Sequence, residues 1–304
     1  MPELPEVETI KRQLKKEILG KQIKSVDVLL PKMINLSPKD FRKKLDGAVI
    51  TDIQRKAKNM IIKLAASTVG DSSPARPFGG SYRLQAGLYL LVHLKMTGQL
   101  IYIEAHSRGL TPLEGVRPRI RHSHLIFHFS DQSKLLYNDM RRFGYIKLLT
   151  KKELNEYFEK QKFGPEPLDK NFSLQTFKAL LRKKRRGKIK QVLMDQTVIS
   201  GIGNLYAAEI CFYSEISPLR NVSALTEKEI KNLYAGIRKI LAQAIKHKGS
   251  SVDNYVDAYG KEGDYVPLIK VYGREGKKCL RCGTVIKTIK LGGRGTYFCP
   301  NCQR

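Results

Sequence analysis

The sequence predicts a multidomain α+β protein: an N-terminal helix leading a strand-rich region, then a helical domain, then a short tail built on cysteines. Three observations predict it. Short runs of Val, Ile, Leu, Tyr and Phe alternate with turn residues up to about residue 150, the pattern of a sandwich or barrel. From Lys151 the apolar spacing changes to three and four residues, the period of helices. Four of the five cysteines stand at 279, 282, 299 and 302, in the last 26 residues. A chain of 304 residues is long enough for about two domains with real cores. The boundaries expected are 1–150 for the strand-rich domain, 151–170 for a linker containing FGPEPLD, 171–265 for the helical domain and 266–304 for the tail.

In chain order, Val7, Ile10, Leu14 and Ile18 recur at helical spacing and Gly20 follows them, which predicts an amphipathic helix from Pro2 to about Leu19. Eight strand-like segments come next: 23–30, 47–54, 60–64, 88–94, 100–104, 123–129, 134–138 and 145–149. Two stretches, 65–81 and 105–118, are rich in Gly, Ser, Pro or Arg without periodicity and read as extended loops. Helical patterns follow at Leu154, Tyr157 and Phe158; at Leu174, Phe177 and Leu181; at Ile189, Val192 and Leu193; and from Ile230 to Ile245.

Charge narrows the function. Lys plus Arg number 56 against 28 Asp plus Glu, a formal net charge of +28, beyond what solubility requires. Nucleic acid is the expected partner, since no basic amphipathic helix with a bulky apolar face and no lipidation signal point to a membrane surface. No apolar run reaches a spanning length, and MPELPEVE lacks the features of a secretory signal. A cytoplasmic, reducing location is therefore expected, in which clustered cysteines serve metals rather than disulfides.

C-x2-C-x16-C-x2-C, formed by Cys279, Cys282, Cys299 and Cys302, has the spacing of a structural four-cysteine zinc ribbon holding one ion, with no open position for catalysis. Cys211, in an apolar helical stretch, reads as an inert core residue. Between the knuckles LGGRGTY suggests a hairpin tip presenting Arg294, which fits a phosphate or a plain soluble turn. Eight basic residues and no acidic one lie between Lys178 and Lys190, a phosphate-contacting surface in a protein this basic. Gly201 and Gly203 precede Asn204 at the start of a helix. Such a turn offers backbone N–H groups to an anion, and the basic run nearby makes a DNA phosphate the expected one. At the N-terminus, removal of Met1 would free the Pro2 amine, whose class titrates near 7.7–8.0; it could then form an imine with an aldehyde carbon. Glu3 and Glu6 stand three residues apart, on one helix face, and suit proton shuttling, although Pro and Glu are also ordinary first-turn residues.

PELPEVET, RKAKNM, HLKMTG, DMRRFG, GPEPL, LMDQ with GIGNLYAAE, and VYGREGKKC with its ribbon occur in this order. Their ordered combination resembles the bacterial formamidopyrimidine-DNA glycosylases over nearly the whole chain, and PELPEVE distinguishes it from the endonuclease VIII branch, which usually starts PEGPE. The resemblance implies an N-terminal helix plus β-sandwich, a helix-two-turn-helix domain and a zinc ribbon, with double-stranded DNA held across the cleft between domains. It implies a monomeric base-excision repair enzyme, a glycosylase and abasic-site lyase, that removes 8-oxoguanine and formamidopyrimidines and cuts the strand by β,δ-elimination. The amine nucleophile is then Pro2, the acid/base carboxylates Glu3 and Glu6, and the active-site lysine Lys58. Met96, Arg141 and Phe143 match the residues that fill the hole left by an extruded base, and Lys190, Asn204 and Arg294 match phosphate binders.

Three departures stand out: Met140 replaces the proline of DPRRFG, Lys95 and Thr97 alter HLGMSG, and loops 65–81 and 105–118 look enlarged. None removes a chemical group. The segment 249–266 corresponds to the family's variable lesion-capping loop. Two rival readings are a non-catalytic zinc-ribbon DNA-binding protein, which needs no free Pro2 amine, and a ribosome-associated RNA binder, which should carry the aromatic platforms or RNP-like strands this sequence lacks.

Overall fold

A computed structural model describes residues 1–65, 87–105 and 122–304; most of the two stretches read as extended loops lies outside these residues. By its contacts the chain divides into two units. The first comprises Met1–Pro2, Glu6–Phe158 and Ser251–Gly263; the second comprises Glu3–Pro5, Glu159–Ser250 and Asp264–Arg304.

In the first unit α1 (Leu4–Ile18) buries Val7, Ile10, Leu14 and Ile18 on one face, and Gly20, at φ +80°, turns the chain out of it. Eight strands follow: β1 (Ile23–Val28), β2 (Val49–Lys56), β3 (Asn59–Ala65), β4 (Leu88–His93), β5 (Gly98–Ile103), β6 (Ser123–Phe129), β7 (Lys134–Asp139) and β8 (Tyr145–Thr150). They form two antiparallel sheets of order β1-β6-β7-β5 and β2-β3-β4-β8. Phe127, Phe129 and Tyr137 of one sheet share a core with Ile50, Ile62 and Val92 of the other, and α1 closes it with Ile10 and Leu14. Of the sandwich and the barrel that the strand pattern allows, the protein therefore forms the sandwich. α2 (Pro38–Leu45) was not anticipated; Ser37 caps it by accepting from the Asp40 N–H, and Pro38 opens it.

α3 (Lys151–Gln161) lies in the stretch expected to be linker. Its Leu154 packs with Ile61, Leu91 and Leu149 on the outer face of the second sheet, so this part of the connection is sandwich structure. The segment 251–263, expected in the helical domain, also joins the sandwich. Tyr255 and Ala258 enter its core, and Ala258 O accepts from the N–H of Tyr102 on the edge strand β5, which occupies hydrogen-bonding groups of that edge.

The second unit contains α4 (Leu174–Arg182), α5 (Ile189–Met194), α6 (Asn204–Tyr213) and α7 (Glu227–Lys246). α6 is apolar all round, and Leu205 to Phe212 are buried, as expected of a helix surrounded by protein. A capping box between Thr226 and Glu229 starts α7. The tail forms a hairpin of β9 (Lys287–Leu291) and β10 (Arg294–Phe298), turned by Gly292 and Gly293 at positive φ. Ala208 and Phe212 of α6 share a core with Cys279, Ile286 and Cys299, so the tail is packed onto the helical domain.

Candidate functional site

The Gly-rich turn before α6 receives a carboxylate of the same chain. Glu3, only 4% exposed, accepts from the N–H of Gly203 at 2.6 Å and of Leu205 at 3.0 Å, and Leu4 N–H donates to Gly201 O at 3.0 Å. The anion at this helix N-terminus is thus Glu3, in place of the DNA phosphate expected there. The glycines make it possible. A Cβ on Gly203 would overlap the Glu3 carboxyl group, and one on Gly201 would come within 2.7 Å of Leu4. Two N–H donors and the positive end of the helix dipole favour the ionised carboxylate.

One turn along, Asn204, Lys190 and the β10 strand meet. Lys190, 1% exposed, places Nζ 2.6 Å from Asn204 Oδ1, 2.7 Å from Thr296 Oγ1 and 3.3 Å from Gly295 O. Asn204 Nδ2 donates to the same Gly295 O at 3.2 Å. Burial pushes the Lys190 ammonium down to about 8, with Arg294 adding to the fall while Cys211 and Glu3 oppose it. Its three protons all face protein oxygens, whereas Arg294 at the hairpin tip is exposed. The basic run divides similarly: Lys178 pairs with Glu227 and Lys184 with Asp195, while Lys183, Arg185 and Arg186 face solvent. Cys211 is buried, and its thiol is pushed up to about 12 by burial, which makes it inert.

The four thiols of Cys279, Cys282, Cys299 and Cys302 lie within 4.8 Å of one another. Cys279 and Cys302 sulfurs are 3.9 Å apart, Cys282 and Cys299 sulfurs 3.5 Å. Tetrahedral zinc with Zn–S bonds of about 2.3 Å sets sulfur edges of about 3.8 Å, so the four residues fit one structural zinc ion.

In the first unit Pro2 is buried just ahead of α1 and Glu6 is buried in its first turn. Beside Glu6 the Tyr255 hydroxyl is held neutral, by burial first and then by the Glu6 and Asp257 charges. Lys58, buried, ends the two-residue turn between β2 and β3, where Ala57 takes φ +55°. His93, at the end of β4, is pushed down to about 3 by burial, then by the charges of Lys95 and Lys58; its Nδ1 accepts from the Lys95 N–H at 3.0 Å.

Met96, Arg141 and Phe143 come together on two adjoining loops. Arg141 Nη1 lies 3.0 Å from Met96 Sδ, and its guanidinium lies 4.9 Å from the centre of the Phe143 ring. All three are exposed. Beneath them is Asp139, fully buried, which sequence reasoning did not single out. Its carboxylate accepts from the Thr97 hydroxyl, the Arg141 N–H and, at 2.7 Å, the Gly144 N–H. Thr97, a departure from the HLGMSG pattern, thus supplies the hydroxyl that ties one loop to the other. Met140 is exposed, so nothing in the sandwich core depends on the missing proline.

The loop 251–263 is pinned at its far end. Asp257 accepts from Gln13 Nε2 at 2.7 Å and from the N–H groups of Tyr259 and Lys261, and Tyr259 donates to Glu17 at 2.7 Å.

Comparison with known proteins bears on these features. Three family models match in order: the formamidopyrimidine-DNA glycosylase N-terminal domain over residues 1–146, the H2TH domain of the same family over 163–256, and the zinc finger found in FPG and IleRS over 276–304. The formamidopyrimidine-DNA glycosylase of Streptococcus pneumoniae is 37% identical over 304 residues, covering 100% of this chain and 99% of its own. That of Carboxydothermus hydrogenoformans is 38% identical and covered over 100% of both chains. Among solved structures, Lactococcus lactis Fpg in complex with DNA containing an abasic site superposes with a TM-score of 0.81 at 34% identity over 99% of each chain. MutM in complex with DNA containing carbocyclic 8-oxo-G does so with a TM-score of 0.81 at 35% identity over 100% of each. With the sandwich, the two-turn helical domain and the cysteine site each matched in order and over full length, the chain belongs to the formamidopyrimidine-DNA glycosylase family.

Proposed function

We propose that this protein excises oxidised purines, 8-oxoguanine and formamidopyrimidines, from double-stranded DNA and then cleaves the abasic strand by β,δ-elimination. The observation that carries this reading is the seat of Glu3. A buried carboxylate next in sequence to Pro2 is held by two backbone N–H groups at a helix N-terminus. Such a seat fixes a carboxylate beside the proposed nucleophile, as acid/base chemistry at that amine requires.

While Met1 is attached, the Pro2 nitrogen is a tertiary amide without a usable lone pair. Removal of Met1 turns it into a secondary amine. That amine attacks C1′ of the lesion nucleotide, the C1′–N bond to the base breaks, and the base leaves with a proton that Glu3 helps to transfer. The nitrogen pair then opens the sugar ring to an iminium between Pro2 and C1′. Its positive charge acidifies the 2′ proton; loss of that proton expels the 3′ phosphate, and a second elimination expels the 5′ phosphate. Water finally releases Pro2. Glu6 orders the first turn of α1 beside this centre, and Lys58 holds the phosphate flanking the lesion.

Access to the base requires extruding it, which costs a few kcal/mol of lost stacking. Met96 and Phe143 fill the vacated space and Arg141 addresses the opposite base. Asn204 and Arg294 bind backbone phosphates; Lys190, with its protons on protein oxygens, positions Asn204 and the 295–296 backbone for that contact. Zinc on Cys279, Cys282, Cys299 and Cys302 closes the ribbon and takes no part in a chemical step. We take the enzyme to work as a monomer in the cytoplasm; no helix among the described residues is long and apolar enough to cross a membrane.

The test is a duplex carrying one 8-oxoguanine opposite cytosine, incubated with the protein and borohydride. The expected result is strand cleavage and a covalent adduct on Pro2, located by tryptic mass mapping. An adduct confined to a lysine removes Pro2 from the mechanism.

A further inference from the structure

One end of the second sheet gathers cations that no described carboxylate pairs with. Asn59, His93 and Tyr145 are cross-strand partners on β3, β4 and β8, so their side chains share one face of the sheet. The Tyr145 ring lies 5.7 Å from His93, and its hydroxyl shares a 2.9 Å hydrogen bond with that of Tyr157. Two ammonium groups converge on this ring, Lys147 at 5.0 Å and Lys95 at 5.7 Å from its centre. Among the described residues neither forms an ion pair with a carboxylate. An aromatic face restrains a cation without neutralising it, so both charges remain available to an anion.

Lys95 also sits where a lysine is unfavourable. Its φ is +51°, the left-handed region that suits glycine, at the position where HLGMSG carries glycine. Lys95 immediately precedes Met96 in the chain, and its ammonium lies over the Tyr145 ring.

We propose that Lys95 and Lys147, with Tyr145 between them, form a phosphodiester subsite on the outer face of the second sheet, next to the phosphate assigned to Lys58. The ligand class is a nucleic-acid backbone phosphate, and the placement rests on the function proposed above.

The experiment measures affinity for a duplex containing a tetrahydrofuran abasic analogue at several salt concentrations, with the full chain and its Lys95→Gly, Lys95→Arg and Lys147→Gln variants. Each phosphate neutralised contributes about −0.9 to the slope of log K against log salt. Lys95→Gly and Lys147→Gln should each flatten the slope by about that amount and weaken binding severalfold at low salt. Lys95→Arg should keep both slope and affinity. Lys95→Gly should also melt a few degrees higher, because it relieves the left-handed backbone. Wild-type slopes in Lys95→Gly and Lys147→Gln would overturn the subsite, as would a Lys95→Arg protein as weak as Lys95→Gly. Cleavage of the 8-oxoguanine duplex by wild-type protein is scored separately. An inert wild type counts against the proposed function, and the slopes still decide the subsite.

Discussion

The seat of Glu3 and the loops that carry Met96, Arg141 and Phe143 are built in opposite ways. Glu3 is 4% exposed, whereas Phe143 is 55% exposed. Glu3 is held by backbone N–H groups of Gly203, which precedes α6, and of Leu205 in its first turn. The loop side chains touch mainly one another, and the loops are joined from below by Asp139. Both loops also contain a residue in the left-handed region, Lys95 at φ +51° and Arg142 at φ +57°. The proton transfer proposed for Glu3 needs one fixed position, and burial with two backbone donors supplies it. The wedge role proposed for the loop side chains asks for exposure in the free protein, with only the backbone beneath them held in place.

The largest effect that could break this contrast comes from the metal. Ala208 and Phe212 of α6 pack against Cys279 and Cys299, so the helix that seats Glu3 also leans on the ribbon. Zinc-finger sites derive about 10–16 kcal/mol of folding energy from their metal, as much as most domains possess in total. Cys282→Ser or a strong chelator should abolish DNA binding and lower the thermal stability of the helical domain, while the sandwich, with its own core, stays folded. Zinc content, DNA affinity and circular dichroism melting together test this. Unchanged affinity in a zinc-free protein would separate the ribbon from α6.

Next in size is Glu3→Gln. A positioned acid/base group contributes about 10²–10⁴-fold, and glutamine would also turn its NH2 toward one of the two N–H donors. Base excision should fall by that range in single-turnover assays, and borohydride trapping on an already abasic strand should fall far less. Equal losses on both substrates would make the seat a structural one.

The exposed loops should give smaller, substrate-dependent losses. Phe143→Ala removes stacking worth about 1–3 kcal/mol, or roughly tenfold in the population of the extruded state per 1.4 kcal/mol. Excision from duplex DNA should slow by about that factor, with little change on abasic DNA and no change in melting temperature. A melting temperature lowered along with both rates would show that the ring supports the fold.

Much of this organisation is legible in the sequence because it depends on local pattern. Alternation in the strands, the apolar run of α6 and the cysteine spacing each follow from neighbours a few residues apart. What pattern does not reach is long-range pairing. Glu3 meets Gly203 two hundred positions on, and no periodicity announces that its carboxylate occupies the helix N-terminus. Lys190 reads as one more charge in a basic run, yet it is sealed by residues of β10. Gln13 and Asp257 tie the 251–263 loop to the sandwich. α2 has only Phe41 and Leu45 as buried residues, too few for a period; its Ser37 and Pro38 were the available signal. Asp139 opens the DMRRFG motif, and only its burial under three donors reveals its work.

The subtlest prediction concerns the buried cation beside the Glu3 seat. Burial holds Lys190 at about 8, below the 10.5 of an unfolded lysine. Between these values the unfolded chain binds more protons than the folded one, so stability rises with pH across that window. DNA binding should change in the opposite direction. As pH passes about 8 the folded protein loses a positive charge within hydrogen-bonding distance of Asn204 and the 295–296 backbone, and affinity should fall severalfold. Lys190→Met, which cannot titrate, should lose both the rise in stability and this part of the fall in affinity. Melting curves and binding isotherms from about pH 7 to about pH 10 on the two proteins read the two signs independently. If the wild type and Lys190→Met follow the same pH course in both measurements, Lys190 keeps its proton throughout this range. If they diverge only in affinity, the charge matters for positioning Asn204 and the 295–296 backbone and its burial carries no folding penalty.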